Sequence, residues 1–173
     1  MEGSGRVATV IGAVVAVVLQ VVVAPNVSLG FAVPDFLLAY AVVVAVARAE
    51  NAGPALPFVL GLIFDLLGGG PVGAMAFVFV LVTFLASKAY SLLDNGTVFM
   101  PIALVVASLF MGEVLYGALL LLGGSASGVL DAFVYRSLPC ALYDCVLGLV
   151  MYPLCVRFMA QGGNAQPGMP LVR

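Results

Sequence analysis

The feature that most constrains this chain is a series of long apolar runs that contain almost no charge. The first run extends from Val7 to Ala24 without a single charged side chain. About 20 such residues form a helix that crosses the roughly 30 Å of bilayer hydrocarbon. Charged residues are 8% of the chain and hydrophobic residues 64%, whereas a soluble domain has about 25% charged residues. We therefore predict an all-α, polytopic membrane protein.

The composition also excludes several classes of function. The chain has no histidine, so zinc motifs of the H-E-x-x-H kind and Ser–His or Cys–His nucleophiles are impossible within it. It holds no G-x-x-x-x-G-K-[ST] phosphate loop, and its net charge of −2 without a basic cluster argues against nucleic-acid binding. Three cysteines lack metal-site spacing and are expected to be free: Cys140, Cys145 and Cys155. We expect no catalytic residue, metal or cofactor.

Six apolar runs predict six transmembrane helices. Pro34 opens the second run, and proline suits the first turn of a helix. We expect residues 1–160 to form one membrane domain and residues 161–173, which are rich in glycine and proline, to form a flexible cytoplasmic tail. The six runs are Val7–Ala24, Pro34–Ala47, Pro54–Leu67, Val72–Ser87, Val98–Leu122 and Ala132–Phe158.

The third run, Pro54–Leu67, is the shortest, at roughly 21 Å of helix. It either spans the membrane alone or forms half of one interrupted span, Pro54–Ser87. Six spans with both termini in the cytoplasm place five of the six basic residues inside and only Arg136 at the outer edge, as the positive-inside rule favours. The interrupted span divides them three and three. We expect Val7–Ala24 to be retained rather than cleaved, because its apolar core exceeds the roughly 7–15 residues of a signal peptide.

Polar side chains inside the predicted spans are the first functional candidates, because charges are costly in the bilayer and usually face the bundle interior or a partner. The six-span topology puts Asp35 and Asp65 near the outer ends of their helices. It puts Glu113 roughly 14 Å and Asp144 roughly 18 Å below the outer ends of theirs. Together with Arg136, these groups predict either a polar feature that opens to the outside or a docking surface.

A purely structural role is the alternative for each of these groups. Asp35 would then cap its helix or complement its dipole, Arg136 would pair with Asp131, and the deeper carboxyl groups would be protonated and hydrogen-bonded. An intramembrane aspartyl protease would use Asp65 and Asp144 around a shared proton. However, their predicted depths differ by about 12 Å or more, and no G-x-G-D motif precedes Asp144.

Small residues spaced four apart form ridges on three of the predicted helices, and such ridges let helices approach closely. We expect most of them to pack inside the protein. A ridge on an outer face would receive the membrane helix of a single-span partner. The ridges are Gly12 with Ala16, Ala41 with Ala45 and Ala49, and Ala103 with Ala107.

Three short elements occur in order in the first half of the chain: Pro34-Asp35-Phe36-Leu37-Leu38, Gly61-Leu62-Ile63-Phe64-Asp65-Leu66-Leu67, and Gly70-Pro71-Val72-Gly73-Ala74. Together they resemble the rod shape-determining protein MreD family, whose members carry P-D-L-L-L-like, G-L-L-x-D-L-like and P-L-G elements in this order. The resemblance makes six of these residues candidates for partner binding or for shaping the turn and the outer rim: Pro34, Asp35, Gly61, Asp65, Pro71 and Gly73.

The resemblance implies a non-catalytic subunit of the bacterial cell-elongation (rod) complex in the cytoplasmic membrane. Such a subunit is expected to bind an MreC-like single-span scaffold and to support a RodA-type glycosyltransferase and a class B penicillin-binding protein, which build peptidoglycan. The actin homologue MreB would lie on the cytoplasmic side. The implied fold is similar to the six-helix S-components of energy-coupling-factor transporters. The alternative function is therefore an S-component-like binder of a small solute such as a vitamin, in a pocket lined by Glu113, Tyr116, Arg136 and Asp144.

Overall fold

The computed structural model describes residues 2–28, 32–49, 53–68, 70–93, 99–124 and 128–161. The regular structure within these ranges is helical, as predicted, and each of the six apolar runs forms a helix. A 3-10 turn at Ala24–Asn26 follows the first helix, and a π-helical turn at Leu130–Ser137 leads directly into the last. The six helices are α1 (Glu2–Val22), α2 (Phe36–Ala47), α3 (Ala55–Leu67), α4 (Ala74–Leu92), α5 (Phe99–Leu122) and α6 (Leu138–Gln161).

Within the described ranges, four helical segments are long and apolar enough to cross a membrane: Arg6–Asn26, Ala74–Leu92, Phe99–Leu122 and Phe133–Phe158. The other two helices, α2 and α3, are apolar but have only 12 and 13 residues. At 1.5 Å per residue, each is about 20 Å long or less. The chain is thus a helical membrane protein that combines four long helices with two short ones.

The short helix α2 lies at the centre of the bundle. Every residue from Phe36 to Val46 is buried, and α2 contacts all five other helices. A helix that is apolar on all sides can bury its whole circumference in this way. The side chains of α2 therefore form the core around which the longer helices pack.

Helices α3 and α4 form a close hairpin. An added Cβ at Gly61 would lie 2.5 Å from the Cα of Ala76, so the two backbones meet directly at this point. The rings of Phe64 and Phe79 also face each other across the hairpin, with their centroids 6.3 Å apart. Because the two helices lie side by side rather than end to end, the structure favours two separate helices over one interrupted span.

The alternating chain direction separates the basic residues. Arg48 ends α2 beside the start of α1, where its Nη1 donates to Thr9 Oγ1 at 2.8 Å. Helices α2, α4 and α6 all begin at the opposite end of the bundle, where residues from the start of each line one cavity. The described basic residues Arg6, Arg48, Lys88 and Arg157 therefore share one end, and Arg136 lies at the other. Arg173 is outside the described residues.

Some of the predicted boundaries are wrong. Pro34 does not lie in the first turn of α2, because Asp35 precedes the helix and its side chain accepts a hydrogen bond from the backbone N–H of Leu38 at 2.8 Å. The last predicted run begins at Ala132, whereas the π-helical turn that leads into α6 begins earlier, at Leu130. The predicted tail lies outside the described residues from position 162 onward.

Candidate functional site

Several of the predicted polar residues meet around a cavity of about 150 Å³ at the end of the bundle where α2, α4 and α6 begin. The wall is built from the start of these three helices, the end of α3 and the middle of α5. Its carboxyl, guanidinium and phenol groups stand among apolar side chains. The lining residues are Val33, Asp35, Phe64, Met75, Glu113, Tyr116, Arg136 and Cys140.

Asp35 joins the cavity wall to the start of α2. Its Oδ1 accepts the backbone N–H of Leu38 at 2.8 Å and so caps the helix, as the structural alternative expected. Its own backbone N–H donates to Oδ1 of Asp144 at 2.7 Å. The side chain is only 2% exposed, yet its Oδ2 has no hydrogen-bond partner among the described residues. Asp35 therefore keeps a free acceptor after its capping role is fulfilled.

Asp144 lies behind the cavity wall and is completely buried. Its carboxyl group lies beside that of Glu113, within hydrogen-bonding reach. The predicted difference in depth between Asp35 and Asp144 is wrong, because the 2.7 Å hydrogen bond puts the two residues at the same level. The start of the short α2 lies below the ends of the longer helices, which the counting of residues did not take into account.

Gln20 is a part of this region that the sequence reasoning missed. Its Nε2 donates to the carbonyl oxygen of Pro34 at 3.2 Å, and its Oε1 accepts the backbone N–H of Phe36 at 2.8 Å. It thereby satisfies backbone groups on both sides of Asp35 and fastens α1 to the start of α2. The available signal was that Gln20 is the one strongly polar side chain near the end of a run of valine, alanine and leucine.

Glu113, Tyr116 and Arg136 also line the cavity. Glu113 and Tyr116 are buried, with 4% and 3% of their surfaces exposed. Arg136 is exposed and lies over Tyr116, with its guanidinium carbon 5.4 Å from the ring centroid, within the range of a cation–π contact. The cavity is therefore acidic inside and basic at the exposed side. The side chain of Asp131, the expected partner of Arg136, is outside the described part of the chain.

Asp65 does not line the cavity and has a different role. Its two carboxyl oxygens accept the backbone N–H groups of Gly73, Met75 and Ala76 at 2.8, 3.1 and 3.2 Å. These are the donors that a helix N-terminus leaves unpaired, and a negative charge there is favourable for the helix dipole. Asp65 therefore caps α4 from the end of α3.

The turn between α3 and α4 contains the other predicted family-motif residues. The carbonyl oxygen of Pro71 accepts the N–H of Ala74 at 3.2 Å. Gly73 precedes α4 with φ of 96°, in the left-handed region that favours glycine. Gly61, Asp65, Pro71 and Gly73 thus meet at the α3–α4 hairpin, whereas Asp35 belongs to the cavity.

Candidate metal ligands are not clustered in the described part of this region. Within the described ranges, no group of three or more histidine, cysteine, aspartate or glutamate side chains is arranged to hold a metal ion. The three cysteines, all of them described, are free thiols. The polar groups of the cavity are instead suited to binding a molecule through hydrogen bonds and charge.

These features define the chain as a helical membrane protein. Four helices of its described part are long and apolar enough to span a membrane, and a small cavity with polar groups in its wall lies at one end. A family model for rod shape-determining protein MreD matches residues 4–161. Because the match covers nearly the whole described bundle, the chain belongs to the MreD family, as its motifs predicted. No curated protein and no solved structure matches the chain. The expected similarity to S-components therefore stays a prediction.

Proposed function

We propose that the chain is a non-catalytic subunit of the bacterial rod complex that binds an MreC-like single-span scaffold in the cytoplasmic membrane. The observation that carries this proposal is the family match over residues 4–161. Through the scaffold it would support a RodA-type glycosyltransferase and a class B penicillin-binding protein in peptidoglycan synthesis, with MreB on the cytoplasmic side. The role is one of holding other proteins in place and so maintaining cell shape.

The proposed topology has six crossings with both termini in the cytoplasm. The described basic residues support it, because four of the five lie at the end of the bundle opposite the cavity, and basic residues concentrate in cytoplasmic segments. The shortness of α2 is compatible with a crossing, since its surface is covered by protein rather than lipid. The cavity and Arg136 would then face the outer side.

The partner's membrane helix is proposed to pack on the exposed small-residue ridge of α5. Ala41 and Ala45 are only 2% and 3% exposed, so the ridge on α2 packs internally. Gly12 lies against the ring of Tyr40, so the ridge on α1 does the same. Ala103 and Ala107, by contrast, are exposed. A small-residue surface of this kind allows close contact with a partner helix.

Co-purification from membranes with a tagged MreC-like protein tests both parts of the proposal. Ala107→Phe adds a large ring to the α5 ridge and should reduce recovery of the partner about tenfold or more, since close packing is lost. Val14→Phe on the exposed face of α1 is the matched control, because Val14 is 58% exposed and α1 has no extensive contact with α5. Both variants should remain folded.

Two results would contradict the proposal. Failure of the unaltered chain to co-purify with any MreC-like protein would remove the proposed function. Full recovery of the partner by Ala107→Phe would remove only the proposed surface. Restoration of rod shape in cells that lack the endogenous subunit is the second measurement, and Val14→Phe should restore it while Ala107→Phe should not.

The presence of a cavity supports the alternative function, uptake of a vitamin-like solute, but the size of the cavity argues against it. Its volume of about 150 Å³ is small beside the roughly 300–1,000 Å³ of ordinary small-molecule pockets. A vitamin or an energy-coupling T-subunit recovered with the purified protein would favour this function over the scaffold.

A further inference from the structure

We propose that the cavity binds the head group of an aminophospholipid, with the primary ammonium inside, near Asp35 and Glu113, and the phosphate at Arg136. The inference concerns a ligand of the cavity and does not depend on which protein partner the chain binds. It is derived from the unpaired acceptor in the cavity wall, the position of the basic group, the size of the space and the surface around it.

The interior of the cavity is suited to a ligand group that donates hydrogen bonds. Asp35 lines it and is only 2% exposed. One of its carboxyl oxygens has no hydrogen-bond partner in the described part of the chain. A buried acceptor left unpaired is unfavourable. Glu113, also buried, adds a second carboxyl group to the same wall. Two acidic acceptors favour a positively charged group with several N–H bonds, and a primary ammonium has three.

The exposed side of the cavity is suited to binding an anionic group. Arg136 lines the cavity, is exposed, and is held over the ring of Tyr116 at 5.4 Å. A guanidinium group presents planar, paired donors that match a phosphate. An acidic interior and a basic exposed side therefore match a molecule that has an ammonium at one end and a phosphate a few bonds away.

The size and the surroundings favour a lipid head group over a free solute. A space of about 150 Å³ accommodates an ethanolamine group more readily than a complete drug-sized molecule. The residues that flank Arg136 along the chain, Val134, Tyr135 and Leu138, are 49%, 58% and 46% exposed. This apolar surface beside the basic group is suited to acyl chains and unsuited to a fully water-soluble zwitterion.

Native mass spectrometry of the detergent-solubilised protein tests the proposal by titration with phosphatidylethanolamine and phosphatidylcholine of identical acyl chains. Phosphatidylethanolamine should bind about tenfold more tightly or better, because hydrogen bonds to a charged group discriminate by that much. The trimethylated ammonium of phosphatidylcholine has no N–H to donate to Asp35. Phosphatidylglycerol, which has no ammonium, should also bind weakly.

Three variants locate the effect. Asp35→Asn keeps a good N-cap for α2 but replaces the free acceptor with an NH2 group, so the preference for phosphatidylethanolamine should disappear. Arg136→Gln should weaken both lipids together. Arg157→Gln, an exposed arginine at the other end of α6, is the matched control and should change neither. If Asp35→Asn does not fold, Glu113→Gln tests the same loss of preference.

Several results would overturn the proposal. Equal affinity for the two lipids would remove the role of the ammonium, and an undiminished preference in Asp35→Asn and Glu113→Gln would remove the cavity as the site. Free glycerophosphoethanolamine that binds as tightly as the lipid would assign the cavity to a soluble molecule instead. A scaffold that binds its protein partner yet shows no lipid preference would leave the proposed function standing without this inference.

Discussion

The α3–α4 hairpin and the cavity use the same type of buried acid in opposite ways. Asp65 in the hairpin is 2% exposed, and its two oxygens accept three backbone N–H groups. Asp35 in the cavity wall is equally buried, yet it keeps one carboxyl oxygen without a partner among the described residues. A satisfied buried acid contributes to the fold, whereas one with a free acceptor retains the capacity to bind.

A side chain added between the two helices of the hairpin should have the largest effect on stability. Gly61→Ala places a methyl group 2.5 Å from the Cα of Ala76, and backbone atoms cannot yield as a flexible side chain can. We expect α3 and α4 to separate and the free energy of unfolding to fall by about 3 kcal/mol, measured by unfolding in mixed detergent. Gly53→Ala is the control, because nothing lies within 4 Å of a Cβ there. If Gly61→Ala lowered the free energy of unfolding by less than Gly53→Ala does, the backbones of α3 and α4 would not be in contact.

Removing the charge of Asp65 should have an intermediate effect. Asp65→Asn keeps one acceptor oxygen but turns an NH2 group toward donors at the start of α4, where Gly73, Met75 and Ala76 need partners. Because hydrogen bonds to charged groups are worth more than neutral ones, the free energy of unfolding should fall by about 2 kcal/mol. The same unfolding measurement checks this, and an unchanged stability would mean that Asp65 does not cap α4 as a carboxylate.

The same substitution at Asp144 should have the smallest effect and so sharpens the comparison. Asp144→Asn retains an oxygen for the backbone N–H of Asp35 and offers an N–H to the neighbouring Glu113. We expect the free energy of unfolding to change by about 0.5 kcal/mol or less in either direction. A loss as large as that of Asp65→Asn would show that the fold needs the carboxyl group of Asp144 as much as that of Asp65, and the contrast between the two regions would not hold.

The six helices could be predicted from the sequence because each apolar run is long and ends at a clear break. The meeting of Asp35, Glu113 and Arg136 agrees with the shared outer side on which the predicted six-span topology put them. The level of Asp144 could not be predicted in this way, because counting residues assumes that every helix begins at the same height. The start of α2 is lower, as its hydrogen bond from Asp35 to Asp144 shows.

Which small-residue ridges face the interior could not be predicted from the sequence, for a different reason. In a bilayer, lipid-facing and protein-facing surfaces are both apolar, so periodicity cannot distinguish Ala41 from Ala107. Only the packing reveals that Ala41 is buried and Ala107 exposed. The resemblance made Asp65 a candidate for shaping the turn, but its three donors could not be predicted, because they lie at the start of the next helix and not in its own.

The central position of α2 has a consequence for how the chain is made. Its 12 residues span about 18 Å, well short of the roughly 30 Å of hydrocarbon, so α2 inserts poorly on its own. The neighbours that cover it include α4, α5 and α6, which the ribosome produces later. During synthesis, the most deeply enclosed helix is thus made before three of the helices that cover it. A chain that stops before α6 leaves the backbone N–H of Asp35 without the carboxyl group of Asp144 that accepts it.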